Sequence, residues 1–351
     1  MKTNTSTKKF VQKLDLKKGR VEMVHGAGGK AMSQLIDQLF IQRFDNPILN
    51  QQNDQASLTL GSNNIVMATD SHVISPIFFP GGNIGSLSVH GTVNDVVMSG
   101  AKALYLSAAF ILEEGYPLAD LVKIIDSMAQ AATDAGVRIV TGDTKVVEKG
   151  HGDGVFINTT GIGVLTEGVE LGADKVRAGD KVILSGTLGD HGVSIMSLRE
   201  NLTFETTIES DSQSLHQLVS TMVAEVPQIH CMRDPTRGGL AATMNEISQQ
   251  ANVGIQLEED RIPIKPQVRS ACEFLGLDPL HVANEGKLVA FCPSEYAEQL
   301  LAVMQTHPQG KEAAIIGEVF NDENNFVQLS TSFGGTRMVD WINGEQLPRI
   351  C

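Results

Sequence analysis

What most constrains this chain is an alternation that runs through both of its halves: short apolar, strand-like runs followed by stretches with helical spacing. Residues 64–70 (NIVMATD) read as a buried strand ending in Asp70, and a glycine-rich turn at 78–85 leads into a small-residue helix through SLSVHGTVNDVVMSG. Residues 103–112 predict a strand. Residues 117–137 predict a helix, because Leu118, Leu121, Val122, Ile125, Met128 and Ala132 recur at helical spacing behind Pro117, which suits a first turn. Strands follow at VRIVTGDT and at 154–165. The polar, glycine-rich stretch 166–180 carries the domain boundary. Beyond it KVILSGTLGDHG reads as a strand running into a glycine turn. Helices are expected at 213–226, about 236–252, 266–276 and 294–306, and strands at 254–258, 286–292 and 313–318. Alternation on this scale gives an α/β or α+β architecture in which helices cover the sheets.

A length of 351 residues suits two domains, and 42% apolar residues supply their cores. The formal charge is 27 − 41 = −14. That excludes nucleic acid and anionic membrane surfaces as natural partners, so an anionic ligand must be held by local dipoles, metal ions or a few lysines. No apolar run approaches the roughly 18–20 residues of a membrane helix. The basic stretch 1–20 lacks the apolar core of a signal peptide and is expected to be a disordered lead-in. Four scattered cysteines without a C-x-x-C pair read as reduced thiols in a cytoplasmic protein. Cys231, Cys272 and Cys292 are expected to pack as small hydrophobes. Cys351, the last residue of a Pro-Arg-Ile-Cys end, is not explained that way.

The chemistry-bearing feature is a set of aspartates beside glycines or at strand ends: Asp54, Asp70, Asp95, Asp143 and Asp234. Any one of them alone reads as a turn or cap residue. Together, with Asn94 beside Asp95, they suit Mg²⁺ and a polyphosphate, whose remaining oxygens glycine-turn N–H groups can cover. HGAGGKAM lacks Walker A spacing, so P-loop chemistry is excluded. Lys145 is a candidate cation or base, or a surface lysine; Glu285 an inward carboxylate or a cap; His191 a base or a turn residue. The residues by themselves thus define a two-domain metal–nucleotide enzyme with a reactive tail thiol.

The segment from DSHVISPIFFPGG through TVNDVVMSGAKALYLS, with TGDTKVV, RDPTRGGLA, ANEGK and the terminal PRIC, resembles the HypE family of hydrogenase maturation factors. That family lies in the superfamily of aminoimidazole ribonucleotide synthetase, selenophosphate synthetase and thiamine monophosphate kinase. The resemblance runs from about Val21 to Cys351; TVNDVVMSGA marks only the superfamily, and the PRIC end is the specific sign. It implies an aminoimidazole ribonucleotide synthetase-like fold. Residues 21–168 would form an N-terminal ATP- and metal-binding domain whose sheet pairs in a homodimer. Residues 169–340 would form a C-terminal α/β domain, and 341–351 a mobile tail ending in Cys351. It also implies a carbamoyl dehydratase: the tail thiol accepts a carbamoyl group from the carbamoyltransferase HypF, ATP drives its dehydration to a thiocyanate, and cyanide passes to iron held by a HypC–HypD complex.

On the same resemblance Cys351, Lys145 and Glu285 are catalytic, the latter two handling protons. Asp54, Asp70, Asp95 and Asp234 hold Mg²⁺, while Asn94, Asp95 and Asp143 line the nucleotide site. Arg237 is a phosphate clamp or an exposed arginine at a helix start. A terminal thiol must visit a donor, an internal site and an acceptor, so the tail is expected to have an inward and an outward state. Arg349 or Lys145 is expected to supply the cation that offsets negative charge near the thiol. Two competing readings remain: a small-molecule kinase or synthetase of the superfamily with an idle tail, and a non-enzymatic thiol carrier.

Overall fold

A computed structural model of the chain describes residues 13–27, 29–53, 55–202, 207–341, 347 and 349–351. Asp54, part of the expected lead-in (1–12) and part of the tail lie outside the described residues. The end of the expected lead-in is already folded: Arg20 bridges to Pro117, and the Val21 N–H donates to the Tyr116 carbonyl.

The N-terminal half begins with a helical run that the sequence pattern did not announce: α1 (Lys30–Leu35), a π-helical stretch (Ile36–Ile41) and α2 (Gln42–Phe44). Then come β1 (Ile65–His72), a hairpin of β2 (Phe78–Phe79) and β3 (Gly82–Asn83), α3 (Ile84–Val97), β4 (Ala101–Glu113), α4 (Leu118–Asp134), β5 (Arg138–Val147) and β6 (Val155–Leu165). Asn83 caps α3 by accepting the Gly85 N–H at 2.8 Å. Pro117 stands at the N-cap of α4, whose Leu118, Leu121, Ile124, Ile125 and Met128 are buried. The sheet has the order β1-β6-β4-β5, with β4 and β5 parallel and the other pairs antiparallel.

β1 is not the buried strand its apolar run suggested. Its side chains alternate, with Ile65, Met67, Thr69 and Ser71 exposed while His72 is buried. Helices α3 and α4 cover one face of the sheet. The other face is open and partly apolar, with Met67 68%, Ile65 55% and Ile111 44% exposed.

The C-terminal half contains β7 (Asp180–Leu184), α5 (Asp190–Arg199), α6 (His216–Glu225), β8 (Cys231–Arg233), α7 (Gly239–Ala251), β9 (Gly254–Glu258), α8 (Pro266–Leu275), β10 (Val289–Pro293), α9 (Ser294–Gln305), β11 (Ala314–Phe320), β12 (Val327–Ser330) and β13 (Thr336–Met338). They build a sheet of order β13-β12-β9-β11-β7-β10-β8. Its two faces fill separate cores: Val289 and Phe291 join Leu240 and Met244 of α7, while Ala290 and Cys292 join Leu218 of α6 and Leu300 of α9. Two differences from the sequence pattern bear on the site. GDHG is more than a turn: Gly189, at φ +84°, makes the bend, and Asp190 then opens a ten-residue helix. The strand expected from 286 starts at Val289, which leaves residues 283–288 as a loop reaching toward the N-terminal domain.

Candidate active site

Four segments converge where the two halves meet. β1 carries Asp70 and α3 carries Asp95. The loop between β8 and α7 contributes Asp234 and Arg237. This loop sits tightly because Gly238 and Gly239 adopt left-handed angles, and a Cβ on Gly239 would stand 2.6 Å from the carbonyls of Leu280 and Val282. The loop before β10 supplies Glu285, 4% exposed. Arg237, largely exposed, brings its guanidinium within 3.7 Å of Asp70.

The carboxyls are short of compensating positive charge. Burial, together with the charges of Asp234 and Asp70, pushes Asp95 up to about 7. Burial likewise pushes Asp234 up to about 6. Glu285 is raised well above the ordinary carboxylate range by burial first and then by Asp211, Asp70, Asp234 and Asp95. Its Oε1 has no hydrogen-bond partner among the described residues. Half-buried hard oxygen donors that repel one another are the chemistry that a divalent cation relieves, so the donor set of Asp70, Asp95 and Asp234 fits Mg²⁺. As they stand, no three His, Cys, Asp or Glu side chains among the described residues are close enough together to hold a metal ion.

The end of the chain enters this cluster. The Cys351 carbonyl accepts the Val73 N–H at 3.0 Å and the Arg349 carbonyl that of Ser75 at 3.2 Å, so the tail runs antiparallel to the segment just after β1. Ile350 is buried, and Glu285 is near enough to the Cys351 thiol to act on its ionisation. Burial pushes that thiol far up, Glu285 adds to the effect, and Arg237 opposes it. The offsetting cation is therefore neither residue expected from sequence. Arg349 pairs with Asp153 at 2.8 Å, and Lys145 holds both carboxylate oxygens of Asp143 at 2.8 and 2.7 Å. The other three cysteines are buried, as expected.

Lys145 and Asp143 are not brought to Glu285 within one chain. Asp143 is in register with Ala109, Ala109 with Asn158 and Asn158 with Ser71, whose side chain hydrogen-bonds that of Asn158. This row points to the open face of the sheet. The adjacent row, Thr144, Phe110, Ile157 and His72, is buried beneath the helices, and Asp70 shares the side of His72. Asn94 also has a role that sequence did not suggest. Its amide donates to the carbonyls of Gln213 (3.0 Å) and Glu285 (3.2 Å), and its oxygen accepts the Leu215 N–H at 2.8 Å. Fully engaged with backbone, Asn94 braces the Glu285 loop and offers no free donor to a nucleotide.

Sequence reasoning missed Asp211 and Lys287. Asp211 accepts the Glu285 N–H at 3.2 Å and pairs with buried Lys287 at 3.3 Å. Burial opposes its ionisation, but the Lys287 ammonium, with the Glu285 N–H, favours the carboxylate and holds it below the usual range. Lys287 stands within the ANEGK motif, which was the available signal; nothing in the polar stretch around Asp211 set it apart.

Fold and site together define the class. The chain matches the AIR synthase related proteins twice, in their N-terminal domain over residues 52–165 and their C-terminal domain over 177–330. Carbamoyl dehydratase HypE of Azotobacter vinelandii is 64% identical over 341 residues, covering 97% of this chain and all of that protein. A crystal structure of a HypE in complex with ATP superposes with a TM-score of 0.91 at 49% identity, covering 94% of this chain and 99% of the other. A HypE in complex with HypF gives 0.78 at 50% identity, covering 88% and 99%. The chain belongs to the HypE family of carbamoyl dehydratases.

Proposed function

We propose that the chain carries a carbamoyl group on Cys351 and dehydrates it with ATP to a thiocyanate, supplying cyanide for the iron of [NiFe]-hydrogenase. The observation that carries this reading is the terminal thiol, drawn in by its backbone to the neighbourhood of the buried Glu285. Such a thiol is a poor free nucleophile in this position, which suits a carrier that is loaded elsewhere and processed here.

The chemistry is balanced. Transfer of the γ-phosphoryl group to the carbamoyl oxygen turns that oxygen into a leaving group. Its departure as phosphate, with loss of both protons from the nitrogen, converts S–C(=O)–NH₂ and ATP into S–C≡N, ADP and phosphate. Glu285, close to the thiol and raised above the ordinary carboxylate range by burial, takes a nitrogen proton in its ionised form. Asp70, Asp95 and Asp234 would hold Mg²⁺, with Asp54 as a further ligand; bound there, the ion neutralises phosphate charge. Arg237 is placed beside Asp70 to clamp a phosphate. A cavity of about 440 Å³ lined by Ile36, Phe40, Phe110 and Asp143 has the size and apolar lining for the base.

The open sheet face supports a homodimer, since pairing with a second copy would cover Ile65, Met67 and Ile111. Lys145 and Asp143 lie on that face, so their part in the reaction is exercised toward the partner subunit. HypF is the donor, in keeping with the HypE–HypF complex, and a HypC–HypD iron complex is the acceptor. The chain works in the cytoplasm; among the described residues no helix is long and apolar enough to cross a membrane.

The test is to carbamoylate the purified chain with cyanate, add MgATP and follow the C-terminal peptide by mass spectrometry, with Cys351→Ala as control. Loss of one water from the adduct only with MgATP supports the reading. An adduct that stays intact in protein competent to bind ATP refutes it and favours a small-molecule kinase.

A further inference from the structure

His191 is completely buried at the second position of α5, and its two ring nitrogens face different parts of the chain. Nε2 lies 2.7 Å from the carbonyl oxygen of Ile350. Nδ1 lies 2.8 Å from the Ser210 hydroxyl, and the ring meets Phe79 edge-on at 5.6 Å. A carbonyl oxygen only accepts, so Nε2 carries the proton. In the neutral ring Nδ1 then carries no proton and only accepts, so the Ser210 hydroxyl donates to it while its oxygen accepts the Ser212 N–H at 3.1 Å. Burial lowers the pKa of the ring, in keeping with this neutral form.

We propose that His191 is a positioning residue for the dehydration: by donating from Nε2 to the Ile350 carbonyl it seats the tail in the inward register that presents Cys351 to Glu285. This rests on the reading of Cys351 as the carbamoyl carrier. The grip falls on main-chain oxygens at three successive residues. Arg349 is held by the Ser75 N–H and Arg199, Ile350 by His191, and Cys351 by the Val73 N–H. None of these contacts involves Sγ, so the same seat serves the free, carbamoylated and cyanylated thiol. When the tail leaves, the His191 N–H loses its acceptor in a buried place, and that loss biases the chain toward the inward state. Ser210, which orients the ring, precedes Asp211, which holds the Glu285 backbone. One short segment thus sets both sides of the reacting pair.

The test uses the full chain with two readouts. Labelling of Cys351 by a small maleimide, without ATP, measures how often the tail is out; single-turnover dehydration of the cyanate adduct measures the chemistry. For His191→Ala, Cys351 labelling is expected to rise about five- to tenfold, the scale of one lost hydrogen bond. Dehydration should slow at least as much, with ATP affinity kept. His191→Gln, which retains an N–H donor at comparable reach, should recover a large part of both. Protection of Cys231, Cys272 and Cys292 reports that the fold is intact. If it is lost in His191→Ala, Ser210→Ala decides: faster Cys351 labelling supports the seat, and wild-type labelling overturns it. Wild-type labelling and dehydration in a folded His191→Ala also overturn the seat while leaving the carrier reading intact. Faster labelling in His191→Ala beside a wild type that never dehydrates its adduct upholds the seat and sinks the carrier reading instead.

Discussion

Replacing Asn94 with alanine separates a brace from a ligand-binding residue. The side chain is 1% exposed and makes three hydrogen bonds to backbone groups of residues 213, 215 and 285. Asn94→Ala leaves a buried N–H and two carbonyls without those partners. At about 0.5–1.5 kcal/mol each, the loss comes to about 2–4 kcal/mol. At roughly 2–4 °C per kcal/mol for domains of this size, the melting temperature should fall by about 5–15 °C. Release of the Glu285 carbonyl also loosens the catalytic loop, and misplacement on the order of 1 Å costs about 100-fold in rate. Nucleotide affinity should stay near the wild-type value. Asn94→Asp keeps an acceptor for Leu215 but turns a charge toward two carbonyls, so it should be at least as destabilising. Calorimetry, single-turnover dehydration and ATP titration on the same preparations check all of this. Unchanged stability with weakened ATP binding would refute the brace and return Asn94 to the nucleotide site.

Other perturbations follow from the same geometry. Glu285→Gln should slow dehydration by about 10²–10⁴ while sparing ATP binding. In the wild type the rate should rise with pH as the raised Glu285 carboxyl ionises, and a pH–rate profile should lose that limb in the variant. Asp95 is raised from 3.8 to about 7, so the metal-free protein has its full contribution below about pH 4 and loses it as pH rises through 7. Thermal melts at pH 8 should therefore show stabilisation by millimolar Mg²⁺ that Asp95→Asn largely abolishes. If the open sheet face pairs as proposed, Met67→Glu, at a side chain 68% exposed in the single chain, should leave the fold intact and give a monomer in sedimentation where the wild type gives a dimer.

Much of the site was legible in the sequence because its parts announce themselves locally. Asp70 ends an apolar strand run, Asp95 rides a small-residue helix, Asp234 opens the RDPTRGG motif, Glu285 stands beside a glycine, and Cys351 closes a distinctive tetrapeptide. The alternation of strand and helix likewise determined the architecture, since periodicity is a local property of the chain. What tertiary structure alone decided were the relations between distant segments. Asn94 looked like a nucleotide ligand until its amide met backbone 119, 121 and 191 residues away. β1 looked buried because an apolar run does not reveal which face will be covered. Lys145 and Glu285 carry compatible chemistry, yet strand register places Lys145 on the open face of the sheet. His191 shared its tetrapeptide with two glycines and read as a base or a turn residue; its partner is the carbonyl of Ile350, 159 residues on. A residue's own neighbours set its conformation, but its hydrogen-bond partners and the face it presents are set by which segments the fold brings together.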